Sequence, residues 1–191
     1  FFICIGNKSF LREVLFFLDI EYDRGSKSKD KIMVDYAVLS EKGGRKENQD
    51  YYGYTLHKGV YCFVVCDGVD SSKNGKIAAK ESVFSILKAF QSVKAPTTDY
   101  LIEKAEEKLL KIQKEKLEKQ DLMTTLGLVL LQDAKIHADH IGDTRIYIFD
   151  SYKKLVYQSK DHSLGQALID NQASMEQDIR NHENRHQLLN A

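Results

Sequence analysis

The sequence predicts an α+β fold in which one antiparallel sheet packs on another and a helix pair covers an outer face. Three observations lead there. Short runs rich in β-branched and aromatic residues come first, two helix-periodic segments follow, and strand-like runs then return. That order does not alternate strand with helix, which rules out a parallel sheet built from repeating strand-helix units. The later runs are joined by short polar links typical of antiparallel hairpins.

Taken in order, residues 10–20, FLREVLFFLDI, carry apolar residues at helical spacing and predict a helix. The polar stretch DRGSKSKDK at 23–31 reads as a linker and puts a domain boundary near residue 32. Residues 1–31 are thus expected to be an N-terminal helix and linker, and 32–191 one domain. VDYAVLS, YYGYTL and VYCFVVCDG read as strands. GKIAAKESVFSILKAFQ at 75–91 predicts a helix with Ile77, Phe84 and Leu87 on one face. A second helix starts after Pro96, capped by Thr98 or Asp99, with Ile102, Ala105, Leu109 and Ile112 inward and a solvated lysine and glutamate face outward. LMTTLGLVLL, AKIHADHIG, RIYIFD and KLVYQS are the returning strands, and Ser174 with Gln177 forms a capping box for a last helix.

Twenty-eight acidic and 28 basic side chains cancel, so no whole-protein field points to nucleic acid. Three cysteines, Cys4, Cys62 and Cys66, are too few for a disulfide framework, and a reducing cytoplasm is the expected location. Cys62 and Cys66 lie in one apolar run and are expected in the core; neither sits in a Cys-x5-Arg phosphate loop. No apolar stretch approaches the ~20 residues of a membrane helix, so no membrane partner is expected. The chain begins with Phe and not Met, which marks the first residue as other than a natural start.

Three aspartates stand at turns beside apolar strands: Asp50 after GGRKENQ, Asp67 after YCFVVC and Asp143 after HADHIG. A carboxylate at the end of a buried strand is rigidly held yet faces the loop layer, which suits a cation site. No His/Cys spacing offers zinc ligands, so any metal is expected to be oxygen-bound. Asp-Gly alone is an ordinary turn, and no one of these positions identifies a site by itself. His140 lies in a predicted strand and His162 in the segment SKDHSL, and both are expected to be structural.

Together and in order, GGRKENQD, FVVCDG, MTTLGLVLL, HIGDTRIYIF and SKDHSL resemble the successive motifs of PPM-type, protein phosphatase 2C-like, serine/threonine phosphatases, over about residues 34–191. The resemblance implies a four-layer α-β-β-α sandwich of two antiparallel sheets flanked by helices, with two bridged Mg²⁺ or Mn²⁺ ions at one edge. It implies hydrolysis of phosphoserine and phosphothreonine in proteins by a metal-activated water, opposing a bacterial serine/threonine kinase. By the same resemblance Arg45 binds the substrate phosphate, Asp50 anchors metal-bound water, Asp67 bridges the metals and the Gly68 carbonyl is a backbone ligand. Asp143 is similar to an aspartate linked to a third metal position in some members.

The sequence departs from the family in three places. After Asp67-Gly68, where bacterial members continue Met-Gly-Gly, it reads Val69-Asp70-Ser71-Ser72, which adds a negative charge near the site. Gln49 stands where many members carry glutamate, and Gln49 and Asp70 are read as an outer shell. Two later aspartate motifs and the last strands are expected beyond Ala191, so the 191-residue chain is expected to bind metal weakly and turn over poorly. The competing reading is a pseudophosphatase, a phosphoprotein-binding or regulatory module that keeps the fold without hydrolysis.

Overall fold

The computed structural model describes residues 2–6, 15–23, 31–42, 44–115, 121–133, 135–171, 183–184 and 187–191. Nine strands and three helices follow one another among these residues. They are β1 (Phe2–Gly6), β2 (Leu15–Asp23), β3 (Lys31–Leu39), β4 (Asp50–His57), β5 (Val60–Asp67), α1 (Gly75–Ser92) and α2 (Thr98–Glu115). Then come β6 (Leu126–Gln132), β7 (Lys135–Ile141), β8 (Arg145–Phe149), β9 (Leu155–Gln158) and α3 (Leu164–Asp170). The strands form a five-stranded sheet in the order β3-β2-β1-β8-β9 and a four-stranded sheet in the order β4-β5-β6-β7, antiparallel throughout. The expected α+β sandwich of two sheets is present.

Strands β5 and β6 are apolar at nearly every position because they are covered on both faces. Cys62, Val64 and Cys66 of β5, with Leu126, Leu128 and Leu130 of β6, pack against Ala79, Val83, Ile86 and Phe90 of α1 and Leu101 and Ala105 of α2. The alternate residues Phe63, Val65, Val129 and Leu131 meet Ile3, Ile5, Leu18, Ile20 and Ile146 of the other sheet. One pair of strands therefore forms the floor of two cores, and its period-2 alternation distributes the side chains between them.

Four expectations are corrected here. Residues Leu15–Asp23 form a strand and not a helix, because β2 pairs with β3 over its full length and with β1 from Leu15 to Asp19, burying Leu18 and Ile20 and exposing Phe17, Asp19 and Glu21. Residue 32, near which a domain boundary is expected, lies within β3, in the same sheet as β1 and β2. The link between β7 and β8 is not a hairpin, since these strands belong to different sheets. On α1 the core stripe is Ala79, Val83, Ile86 and Phe90, while Phe84 lies 49% exposed. The cap of α2 is Thr97, whose hydroxyl accepts from the Tyr100 amide at 3.2 Å. The capping box at Ser174 and Gln177, and residues 10–14 of the predicted helix, lie outside the described residues.

A buried ion pair joins two of the motif segments. Arg145 of β8 donates through Nε to Asp161 Oδ1 at 2.5 Å and through Nη2 to Oδ2 at 2.8 Å, with the Asp161 side chain 1% exposed. The hydrogen bonds to Asp161 hold Arg145 still more firmly protonated than its ordinary value. Removing one partner of a buried pair strands the other charge in a poorly solvated site. Asp161→Asn is expected to lower the unfolding free energy by about 3 kcal/mol, read as a shift in the urea midpoint with unchanged slope.

Candidate functional site

The site begins with a register. Lys58 and Gly59 form a two-residue turn with φ of 51° and 79°, the left-handed geometry of a tight hairpin, between His57 and Val60. From that turn the pairing runs without interruption to its far end, where Asp50 stands directly opposite Asp67. Directly paired residues of antiparallel strands point to the same face, with their Cβ atoms about 5 Å apart. Both aspartates are buried, at 9% and 7% relative exposure. Alternation along β5 puts Asp67 on the face of Phe63 and Val65, which looks toward the second sheet. The acidic pair thus lies at one edge of the sandwich, beyond the last layer of the inter-sheet core.

Asp67 is anchored through its backbone. Its carbonyl accepts from the Thr125 amide at 2.8 Å and the Thr124 hydroxyl at 2.9 Å, and its amide donates to Thr125 Oγ1 at 3.3 Å. Thr125 Oγ1 also shares a hydrogen bond of 2.6 Å with Thr144 Oγ1. The Asp143 turn is therefore coupled to Asp67 through two hydroxyls. Thr124 and Thr125 were not singled out as functional in the sequence, although the Thr-Thr pair before a fully apolar strand was the available signal.

Gly68 and Gly75 allow helix α1 to start against this corner. A Cβ on Gly68 would lie 2.4 Å from the Gly75 carbonyl carbon and 2.6 Å from its oxygen, so only glycine fits without moving backbone. Gln49 closes the same corner: its carbonyl accepts from the Gly68 amide at 3.3 Å, and its Oε1 is buried and accepts no hydrogen bond among the described residues. Such an acceptor is costly unless something donates to it.

Arg45 reaches the acidic pair from the loop before β4. Its Nη1 lies 3.5 Å from Asp67 Oδ1 and its Nη2 2.9 Å from Asp70 Oδ2. The loop is held by Lys76 on Glu47 at 2.9 Å and by Asn48 Nδ2 on Ser40 Oγ at 2.8 Å. The structure thus brings Arg45, Gln49, Asp50, Asp67, Gly68 and Asp70 to one corner. Asp143 sits in the neighbouring turn, half-buried, and among the described residues no three His, Cys, Asp or Glu side chains converge as a metal cluster.

The donor set nonetheless fits a hard divalent cation. Two carboxylates held side by side at a buried edge repel each other unless a positive charge compensates, and oxygen donors are what Mg²⁺ and Mn²⁺ take. The orphaned Gln49 oxygen is an additional neutral oxygen acceptor at the same corner. Cysteine chemistry has no part here. Burial pushes the Cys62 thiol up to about 12 and Cys66 higher still, so both stay neutral in the core.

His140 and His162 pack with ring centroids 4.5 Å apart and ring planes tilted by 31°, near the Asp143 turn. The His140 ring hydrogen-bonds the Lys160 carbonyl at 2.6 Å through Nε2, and the His162 amide donates to the Gly142 carbonyl at 2.8 Å. Both make packing and hydrogen-bond contacts that brace the turn.

Comparison with known proteins places these features in a family. A family model described as protein phosphatase 2C matches residues 42–187. A Mycoplasma genitalium protein named "Putative protein phosphatase" is 33% identical over 149 residues, covering 70% of this chain and 56% of that protein. A Mycoplasma pneumoniae protein of the same name is 31% identical over 149 residues, covering 70% of this chain and 57% of that protein. The chain spans about half the length of these curated relatives. Among solved structures, the Staphylococcus aureus serine/threonine phosphatase Stp1 superposes with a TM-score of 0.69 at 19% identity, over 97% of this chain and 67% of that one. The Mycobacterium tuberculosis serine/threonine phosphatase PstP/Ppp does so with a TM-score of 0.61 at 17% identity, over 91% and 66%.

His162 carries a pH dependence. Burial, then the neighbouring His140, lowers the His162 pKa below its ordinary 6.5. The unfolded chain therefore takes up the proton more readily than the folded one, and stability rises with pH in that window. The neutral-His162 contribution is full above pH 6.5 and is lost progressively as pH falls below it. Urea midpoints measured from pH 7.5 down to 5.5 are expected to fall, and to fall less in His162→Gln.

Proposed function

Because the chain belongs to the protein phosphatase 2C family, we propose that the complete protein hydrolyses phosphoserine and phosphothreonine in proteins, with divalent cations at the Asp50–Asp67 corner. The observation that carries this reading is the direct pairing of two buried aspartates at a sheet edge, with an arginine reaching in from the adjoining loop.

Asp50 and Asp67 would hold Mg²⁺ or Mn²⁺, with the Gly68 carbonyl as a backbone ligand and Gln49 Oε1 orienting a water. Asp143 would serve an outer cation position, since its turn is joined to Asp67 through Thr144 and Thr125. When bound, the ions supply charge neutralisation at the phosphate and activate water for in-line attack. Arg45 orients the phosphate: its planar fork stays charged at any working pH and matches two phosphate oxygens. The substrate would be a phosphoprotein, a target of a bacterial serine/threonine kinase or the kinase itself. The free, buried cysteines suit a reducing cytoplasm. Among the described residues no helix is long and apolar enough to cross a membrane.

The direct test is hydrolysis of p-nitrophenyl phosphate against rising Mn²⁺, with Asp67→Asn beside the parent protein. Metal-dependent turnover is expected, falling more than about a hundredfold in Asp67→Asn, since even outer partners of metal ligands are worth 10- to 100-fold. Equal background in both would turn the reading toward a module that binds phosphoprotein without hydrolysing it.

A further inference from the structure

We propose that Asp70 is a built-in competitor for the phosphate group: in the substrate-free protein its carboxylate occupies the Arg45 guanidinium, and a phosphomonoester or phosphate dianion binds by displacing it. This rests on the reading of Arg45 as the phosphate-binding residue.

Both terminal nitrogens of Arg45 are already engaged by carboxylates, Nη2 by Asp70 at 2.9 Å and Nη1 by Asp67 at 3.5 Å. These are the two nitrogens that would grip a phosphate bidentately. Asp70 therefore presents to Arg45 the oxyanion that a substrate would present. The contact lies where a ligand can reach it, with 33% of the Arg45 side chain and 56% of the Asp70 side chain exposed.

Neither partner is carried on a loose segment. On the Asp70 side, the Val69 amide donates to the Met123 carbonyl at 3.1 Å and the Ser72 amide to the Val69 carbonyl at 2.9 Å. Ser72 Oγ donates to the Asp121 carbonyl at 2.6 Å and the Lys73 amide to Asp121 Oδ2 at 2.9 Å. On the Arg45 side, Glu47 is tied to Lys76 and Asn48 to Ser40. The turn pinned through Asp121 holds Asp70 in front of the guanidinium, so an ion pair bridges two anchored segments at the mouth of the site.

An exposed ion pair is weak and screened by salt, so the mask raises the ligand concentration needed without closing the site. Removing it also removes a like charge facing an incoming dianion. Asp70→Asn should therefore tighten binding of phosphate by about three- to tenfold at low ionic strength, and less at high salt. The consequence for turnover is a higher KM and weaker inhibition by product phosphate than the unmasked arginine would give.

The test is a double-mutant cycle on the complete protein in Mg²⁺ buffer, over Asp70→Asn, Arg45→Ala and both together. Inorganic phosphate is the probe, its apparent Kd taken from the phosphate-dependent shift in thermal unfolding midpoint. KM and kcat for p-nitrophenyl phosphate are measured alongside. The expected result is three- to tenfold tighter phosphate binding in Asp70→Asn, a matching fall in KM, and loss of the Asp70 effect when Arg45 is alanine. Unchanged or weaker phosphate binding in Asp70→Asn, an equal gain in the Arg45→Ala background, or no phosphate binding by any of the four proteins would overturn it. Phosphate binding that obeys the cycle without any hydrolysis would uphold the mask and refute the hydrolytic reading, so the two failures are distinguishable.

Discussion

The register of β4 against β5 is the constraint on which the site depends. It is set at the opposite end of the hairpin, where Lys58 and Gly59 take left-handed conformations and bring His57 against Val60. Because side chains alternate with period two, a slip of one residue would turn Asp67 to the helix side and put Cys66 at the edge. Such a slip would also drive Phe63 and Val65 out of the inter-sheet core. The hydrophobic alternation that stabilises the two cores therefore defends the placement of the acidic pair at no separate cost.

The backbone of Asp67 is locked by Thr124 and Thr125, and α1 begins in contact with Gly68, so the corner is assembled from four chain segments. Such support suits a site in which charges must be held against their own repulsion. The positive groups brought close are the Arg45 guanidinium and the N-terminus of α1, whose free amide groups add to the local positive potential. The paired Asp50 and Asp67 carboxylates, with an arginine shared between Asp67 and Asp70, leave the corner suited to further cationic charge. On the proposed reading a divalent ion would meet that need with the oxygen donors already in place.

Much of this was legible in the sequence, for identifiable reasons. Strands β4 to β9 and both long helices declared themselves because their patterns are long, strongly periodic and bounded by turn residues. The order of the motifs singled out Arg45, Asp50, Asp67 and Gly68, which the fold brings to one corner. β2 was misread because FLREVLFFLDI places apolar residues at helical spacing, although Leu18-Asp19-Ile20-Glu21-Tyr22-Asp23 alternates as a strand does. Pairing with β1 and β3 decided the outcome, and those partners are remote contacts that local spacing does not encode. The exposed face of α1 was misassigned for a related reason: small residues such as Ala79 pack where a sheet comes close, and Phe84 does not. The Arg45–Asp70 and Arg145–Asp161 pairs join residues 25 and 16 positions apart, and only the folded chain shows which charges meet.

The central claim is that the Asp50–Asp67 corner is a divalent-cation site. Mn²⁺ binding followed by electron paramagnetic resonance, on the protein and on its Asp50→Asn and Asp67→Asn variants, tests it without relying on turnover. Saturable binding that weakens at least tenfold in each variant is the predicted result. Equal Mn²⁺ affinity in all three proteins would contradict the account.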